Sequence, residues 1–98
     1  MLELIVAPLA RQDMIDISDH IAKENRAAAL RVVGRFETAM LRLLDMPFVG
    51  PAAGSHLPAD IRKFSSPPYI IFYRVLPGQV QVVRILHASR DIDVSLLR

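Results

Sequence analysis

The stretch "YIIFYRVLPGQVQVVRILHASRDI", Tyr69 to Ile92, decides the fold. Two runs rich in β-branched and aromatic residues, Tyr69 to Leu76 and Val80 to Leu86, flank Pro77-Gly78 and read as an antiparallel hairpin. Pro-Gly suits the centre of a type II turn, whose twist fits a tight hairpin poorly, so a slightly longer or bulged connection is expected. Period-two alternation places Tyr69, Ile71, Tyr73 and Val75 on one face and Ile70, Phe72 and Arg74 on the other. In the second strand it sets Val82, Arg84 and Leu86 against Val83, Ile85 and His87. Both faces are partly apolar. Arg74 and Arg84 therefore fall among apolar side chains, where a guanidinium needs a partner. The hairpin then runs into a polar cluster of His87, Arg90 and Asp91.

Upstream, "IRKF" (Ile61 to Phe64) is a further short strand, set off by "SSPP", and completes a meander. Before it, "MPFVGPAAGSHLPAD" (Met46 to Asp60) holds three prolines, two glycines and a serine without a period, which makes it a loop. A loop of this length is either functional or a plain crossover from helix to sheet. Helical periods come earlier still. Ala29, Val33, Phe36, Met40 and Leu43 line one face of a helix, with Asn25 as its N-cap; Arg31, Arg35 and Arg42 occupy the other side, with Thr38 on the same line. Ala10, Met14, Ile17 and Ile21 line a preceding helix whose first turn accepts Pro8. The short "KENRAA" connection makes the two helices an antiparallel hairpin. "LELIV", Leu2 to Val6, reads as a strand, and "DVSLLR" as a brief terminal helix or strand. The expected fold is α+β: an N-terminal strand, an antiparallel helical hairpin, then an antiparallel β-meander forming one small sheet, in a single domain over residues 1–98.

Ninety-eight residues suffice to bury roughly 60 to 70% of the unfolded surface. An apolar fraction of 52% excludes intrinsic disorder, and the apolar runs are too short to span a bilayer, so no membrane partner is expected. No signal peptide is read at the start, because Glu3 interrupts the opening residues and a basic leader is missing. Without cysteine there are no disulfides or thiolate metal sites, and the cytoplasm is the expected location. The net charge is only +2, but of twelve cations all except Lys23 and Lys63 are arginine. Planar, weakly hydrated guanidinium groups suit an acidic protein partner or nucleic acid.

Several chemistries drop out. His20, His56 and His87 are too scattered for a metal site, no glycine-rich phosphate loop is present, and no cofactor is expected. Ser89 and Asp91 lie too close to His87 in sequence to build a Ser-His-Asp triad. What remains is basic. Arg62 and Lys63, Arg74 and Arg84, then His87 and Arg90 form a patch that would bind RNA phosphates while His87 moves a proton. The plainer reading of His87 is a hydrogen-bonded cap on the sheet end, with Asp91 paired to Arg90 or another arginine; the plainer reading of the helix arginines is a solvated face.

Taken together, Pro8, Ala10, Asp13, Ile17, Ile21 and Ala22, then "LDMPFVG", "IRKF", "YIIFYRV" and "ILHASRDI", in this order and spacing, resemble the RelE/ParE toxin superfamily of bacterial type II toxin–antitoxin systems. The resemblance covers nearly the whole chain. It implies an α+β domain and a cognate antitoxin whose C-terminal segment wraps the toxin. RelE-like members cleave mRNA on the ribosome with basic sheet residues and often a Tyr or His near the C-terminus, whereas characterised ParE-like members act on DNA gyrase. Tyr69 and Tyr73 both belong to the central strand here, and the "HASRD" ending is closer to the ParE branch. The resemblance therefore implies a gyrase inhibitor, held in a hetero-oligomer by a ParD-like antitoxin; the helical stripe of Arg31, Arg35 and Arg42, with Arg62 and Arg74 of the sheet, is the surface expected to meet the acidic residues of that partner. The alternatives are a RelE-like ribonuclease using Arg62, Arg84, His87 and Arg90, or a degenerate toxin that retains only antitoxin binding.

Overall fold

Pro8 and Asn25 set where the helices begin. In a computed structural model, which describes residues 2–97, strand β1 (Glu3–Val6) passes through Ala7 into helix α1 (Pro8–Ala22), with Pro8 in the first turn. Helix α2 (Arg26–Asp45) opens at Asn25, whose side chain accepts the Ala28 N–H at 2.9 Å. Three strands follow: β2 (Arg62–Ser66), β3 (Tyr69–Leu76) and β4 (Gln79–His87). The C-terminal "VSLL" is a short 3-10 turn, Val94–Leu97; Arg98, which ends the same stretch, lies outside the described residues.

The strand order is β1-β4-β3-β2. The meander is antiparallel as expected, and the N-terminal strand joins it parallel to β4, with Glu3 opposite Gln79 and Val6 opposite Val82. A parallel pairing requires a long crossover, and the helical hairpin begins it.

Two local expectations are corrected. The β3–β4 connection is only Pro77-Gly78, with Leu76 paired to Gln79; Gly78 supplies the positive φ of 74° that the second turn position demands. The irregularity sits further up, where Phe72 pairs with Arg84 but Tyr73 with Val82, leaving Val83 as an extra residue. That bulge breaks the alternation. Val82 and Ile85 pack on the helix side, while Val83 and Leu86 pack on the other.

Each sheet face has its own core. Ala10, Phe36, Met40 and Leu43 of the helices close over Ile71, Tyr73, Val80, Val82 and Ile85. On the reverse face Leu57, from the long loop, Ile61, immediately before β2, and Leu97, from the terminal turn, cover Phe72, Val83 and Leu86. The loop is thus a lid for the second core. Part of it behaves as strand: Ala52 bridges Arg62, and Lys63 N–H donates to Pro51 O at 3.0 Å. Within α2, Ala39 is buried while Val33 is only half-buried, so the apolar stripe is rotated slightly from its expected line. Among the described residues no helix is long and apolar enough to cross a membrane.

Candidate functional site

Three places on or beside the sheet gather polar groups. The first is the seam where β1 ends. Beyond Val82 strand β4 has no neighbour on that side, and α1 takes over: the Asp13 carboxylate accepts the Ile85 backbone N–H at 2.9 Å. The same carboxylate receives Arg84 in a two-pronged pair, Nε to Oδ2 at 2.7 Å and the terminal nitrogen to Oδ1 at 2.8 Å. The other terminal nitrogen of Arg84 donates to Leu96 O, tying the C-terminal turn to the same point. Both side chains are nearly buried, at 13% and 12% exposure. The hydrogen bond to Asp13 raises the Arg84 pKa above its ordinary value against the opposing effect of burial, so the guanidinium remains charged.

The second place is the corner after α2. Tyr73, fully buried at the centre of β3, donates its hydroxyl to Pro47 O at 2.8 Å and accepts Gly50 N–H at 2.9 Å. Arg62 donates to Gly50 O at 2.7 Å and lies 4.9 Å from the centroid of the Phe48 ring. A Cβ on Gly50 would stand 2.4 Å from Lys63 O and 2.7 Å from the Tyr73 hydroxyl, so nothing larger than glycine fits. The "MPFVG" stretch is a corner clamped by one tyrosine and one arginine.

The third is an open groove of about 800 Å³ between α2 and the outer edge of β2. Arg31, Arg35 and Arg42 form its helical wall with Gly34, Thr38 and Ala39 between them, and Phe64, Ser65, Ser66 and Pro67 face them. The groove lining holds no acidic residue, and neither ion pair among the described residues involves these three arginines. Gly34 is unusual. A glycine inside a helix costs about 1 kcal/mol relative to alanine, yet a Cβ there would meet nothing within 4 Å. Packing within the chain does not explain it.

The five cations expected at a partner surface therefore do not form one patch. Arg31, Arg35 and Arg42 are together, Arg62 is spent on the Gly50 corner, and Arg74 stands elsewhere. Its Nε is 3.7 Å from Asp60 Oδ2, a charge contact too long for a hydrogen bond, and that buried nitrogen has no hydrogen-bond partner.

The ribonuclease set does not converge either. Arg62 lies opposite Tyr73 and His87 opposite Tyr69, four residues apart along β3, or about 13 Å, with β3 between them. Arg84 is held by Asp13 and Leu96. His87 is exposed, and its Nδ1 accepts the Ser89 N–H at 3.1 Å, so the proton of the neutral ring belongs on Nε2. The ring also meets Tyr69 edge-on, centroids 5.5 Å apart, and Tyr69 meets Phe36 in the same way. This is the sheet-end cap expected of His87. Asp91 makes no ion pair among the described residues, contrary to the expected pairing with an arginine. Arg90 instead shares a recess of about 400 Å³ with His56, Lys63, Ile70, Phe72 and Asp91.

Residue reasoning missed Asp13 as the partner of Arg84, and missed Gly50 and Gly34. The "VVGRF" interruption of an otherwise unbroken helical pattern was the available signal for Gly34.

Comparison with known proteins agrees with this architecture. Residues 4–92 match the family described as ParE toxin of type II toxin-antitoxin system, parDE. The chain is 38% identical over 82 residues to the Toxin RelE2 of Caulobacter vibrioides (strain ATCC 19089 / CIP 103742 / CB 15), covering 83% of this chain and 89% of that protein. The solved structure of the chromosomal ParDE TA system from P. aeruginosa superimposes with a TM-score of 0.75 at 23% identity, over 89% of this chain and 96% of that one, and so shares the fold. With the family match spanning nearly all of the sequence, the chain belongs to the ParE toxin family of type II toxin–antitoxin systems.

Proposed function

We propose that the chain, as one domain over residues 1–98, inhibits DNA gyrase by binding, without covalent chemistry of its own, and is neutralised by a cognate ParD-like antitoxin in a hetero-oligomer. The observation that carries this reading is the dispersal of the basic sheet residues: Arg62 and Arg84 are bound within the fold, and neither is turned toward His87. General acid–base cleavage needs those groups to converge on one phosphate. A binding inhibitor needs only a surface. For the antitoxin, weight falls on Arg31, Arg35 and Arg42, with Arg62 and Arg74 as outlying cations. The test is a supercoiling assay with purified gyrase. Blocked supercoiling or toxin-dependent DNA breaks are expected, and unchanged supercoiling at saturating protein overturns the reading.

A second reading, an mRNA endoribonuclease acting on the ribosome, is favoured by the recess that joins Arg90, Lys63 and His56 and by the similarity to a protein named Toxin RelE2. It requires message cleavage on programmed ribosomes that His87→Ala abolishes. Intact message in that assay removes it.

A further inference from the structure

Arg74 and Gln81 stand directly opposite each other in the β3–β4 ladder, so their side chains leave the sheet side by side. They leave it away from the helices, because Tyr73 and Val82, the residues beside them in each strand, pack on the helix side. There they line a recess of about 400 Å³, walled by Pro8 and Leu9 at the start of α1, by Val83 and by Leu97 of the terminal turn. A guanidinium set among apolar groups is normally bound, as Arg62 and Arg84 are. Arg74 is not. Its Nε is sealed from solvent without a hydrogen-bond partner, and the arginine hydrogen bonds among the described residues all belong to Arg62 and Arg84. The side chain as a whole is 29% exposed, which leaves its terminal nitrogens as the donors a ligand can reach.

We infer that this recess binds a small organic carboxylate, whose oxygens accept the terminal N–H groups of Arg74 and the amide N–H of Gln81 while a short apolar stem lies against Pro8, Leu9, Val83 and Leu97. The lining calls for both ends of such a ligand. A planar guanidinium matches a carboxylate in a two-pronged pair, and the neighbouring carboxamide fixes its plane. The rest of the wall is apolar: Val83 and Leu97 are buried, and Leu9 is an exposed leucine that a stem would cover. A volume of about 400 Å³ lies within the range of small-molecule sites and admits a stem of a few carbons.

Inorganic phosphate suits the recess less well, because oxygens turned toward Pro8, Leu9 and Val83 would lose water without gaining a donor. Asp60 does not fill the role from within the chain. It does not line the recess, its Oδ2 stops 3.7 Å from Nε, and its side chain is 55% exposed, so it offsets the charge of Arg74 only in part. The shared chemistry, a carboxylate on an apolar stem, belongs to a free organic acid or to the C-terminus of a peptide that ends in an apolar residue. The assignment goes beyond the gyrase reading and does not depend on it.

The test is a titration of the isotope-labelled full chain, followed by NMR at the Leu9 and Gln81 amides and the Arg74 Nε–H. Hexanoate should shift all three signals saturably and bind roughly tenfold more tightly than acetate, which lacks the stem. Hexanamide, which lacks the charge, should leave them unmoved. Arg74→Gln should weaken hexanoate binding by roughly tenfold. Asp60→Asn, outside the recess, should tighten it, and keeps the test decisive should the first variant lower the melting temperature. Hexanamide binding as well as hexanoate, acetate or inorganic phosphate binding as tightly as hexanoate, no saturable shift with any carboxylate, or an unchanged affinity in both variants would each overturn the inference. A blocked tripeptide with a free C-terminal leucine carboxylate separates the two sources. Binding tighter than that of hexanoate assigns the recess to a peptide terminus and weaker binding to a free acid, and both uphold the site.

Discussion

The seam between α1 and β4 and the flank of α2 above β2 both carry arginine, yet they treat it in opposite ways. At the seam, Arg84 is nearly buried, shares the Asp13 carboxylate with a backbone N–H, and holds the C-terminal turn. On the flank, Arg31, Arg35 and Arg42 are exposed and make no ion pair among the described residues. Charge that the fold consumes is unavailable to a partner, and charge that the fold leaves alone contributes little to stability. Counting cations along a sequence cannot separate the two.

The sharpest way to break the contrast is Asp13→Ala. It strands a buried guanidinium and the Ile85 N–H together and should cost roughly 3–5 kcal/mol in denaturant unfolding. A loss no larger than that of an exposed substitution would mean that the seam is solvated and the contrast false. Tyr73→Phe comes next. It removes one hydroxyl that serves both Pro47 O and Gly50 N–H, for an expected loss of about 1–3 kcal/mol by the same measurement.

The flank should respond with the opposite sign. Gly34→Ala adds a methyl group that meets nothing and should stabilise the helix by about 1 kcal/mol, read as a raised melting temperature. Reversing Arg31 and Arg35 to Glu should change stability by only about 0.5 kcal/mol or less. The same double variant should slow association with an antitoxin and flatten its salt dependence in stopped-flow measurements, because charges at a rim act mainly on the encounter. Unchanged rates would reduce the stripe to a solvated face.

The smallest effect concerns the turn that Arg84 anchors. Asp93 accepts both the backbone N–H and the hydroxyl of Ser95, and these bonds hold its pKa below the ordinary carboxylate value. A depressed folded-state pKa contributes stability above the ordinary value and loses it as pH falls through the folded value. Acidification should therefore lower the protection of the Ser95 amide, its exchange rate taken against the intrinsic rate at each pH, before the sheet opens. Exchange at Ser95 that follows the β4 amides throughout would show that the turn has no local opening of its own.

Period and composition made the helices, the meander and the single-sheet architecture legible, because apolar spacing reports directly which face of an element is covered. The pairing of β1 was not legible, since nothing in "LELIV" names a strand over seventy positions later as its parallel neighbour. Nor was the bulge at Val83, which follows directly after the last residue that β1 pairs with. That single slipped residue reassigned the faces of Ile85 and Leu86. For the candidate site, the arginines of α2 could be found from helical spacing alone. The fate of Arg62 and Arg84 could not, because their partners, Gly50 and Asp13, come from other elements and meet them only in the folded chain.

The parallel register of β1 against β4 has a consequence for when the protein comes into being. Translation delivers β1 first and β4 last among the strands, so Glu3 must wait for Gln79, and the sheet cannot close while the chain is still short of its final strand. Contacts this distant in sequence are slow to form. The β1–β4 pairing therefore forms only once β4 has been made, and until then that pairing and the seam it sets up are missing from the nascent chain.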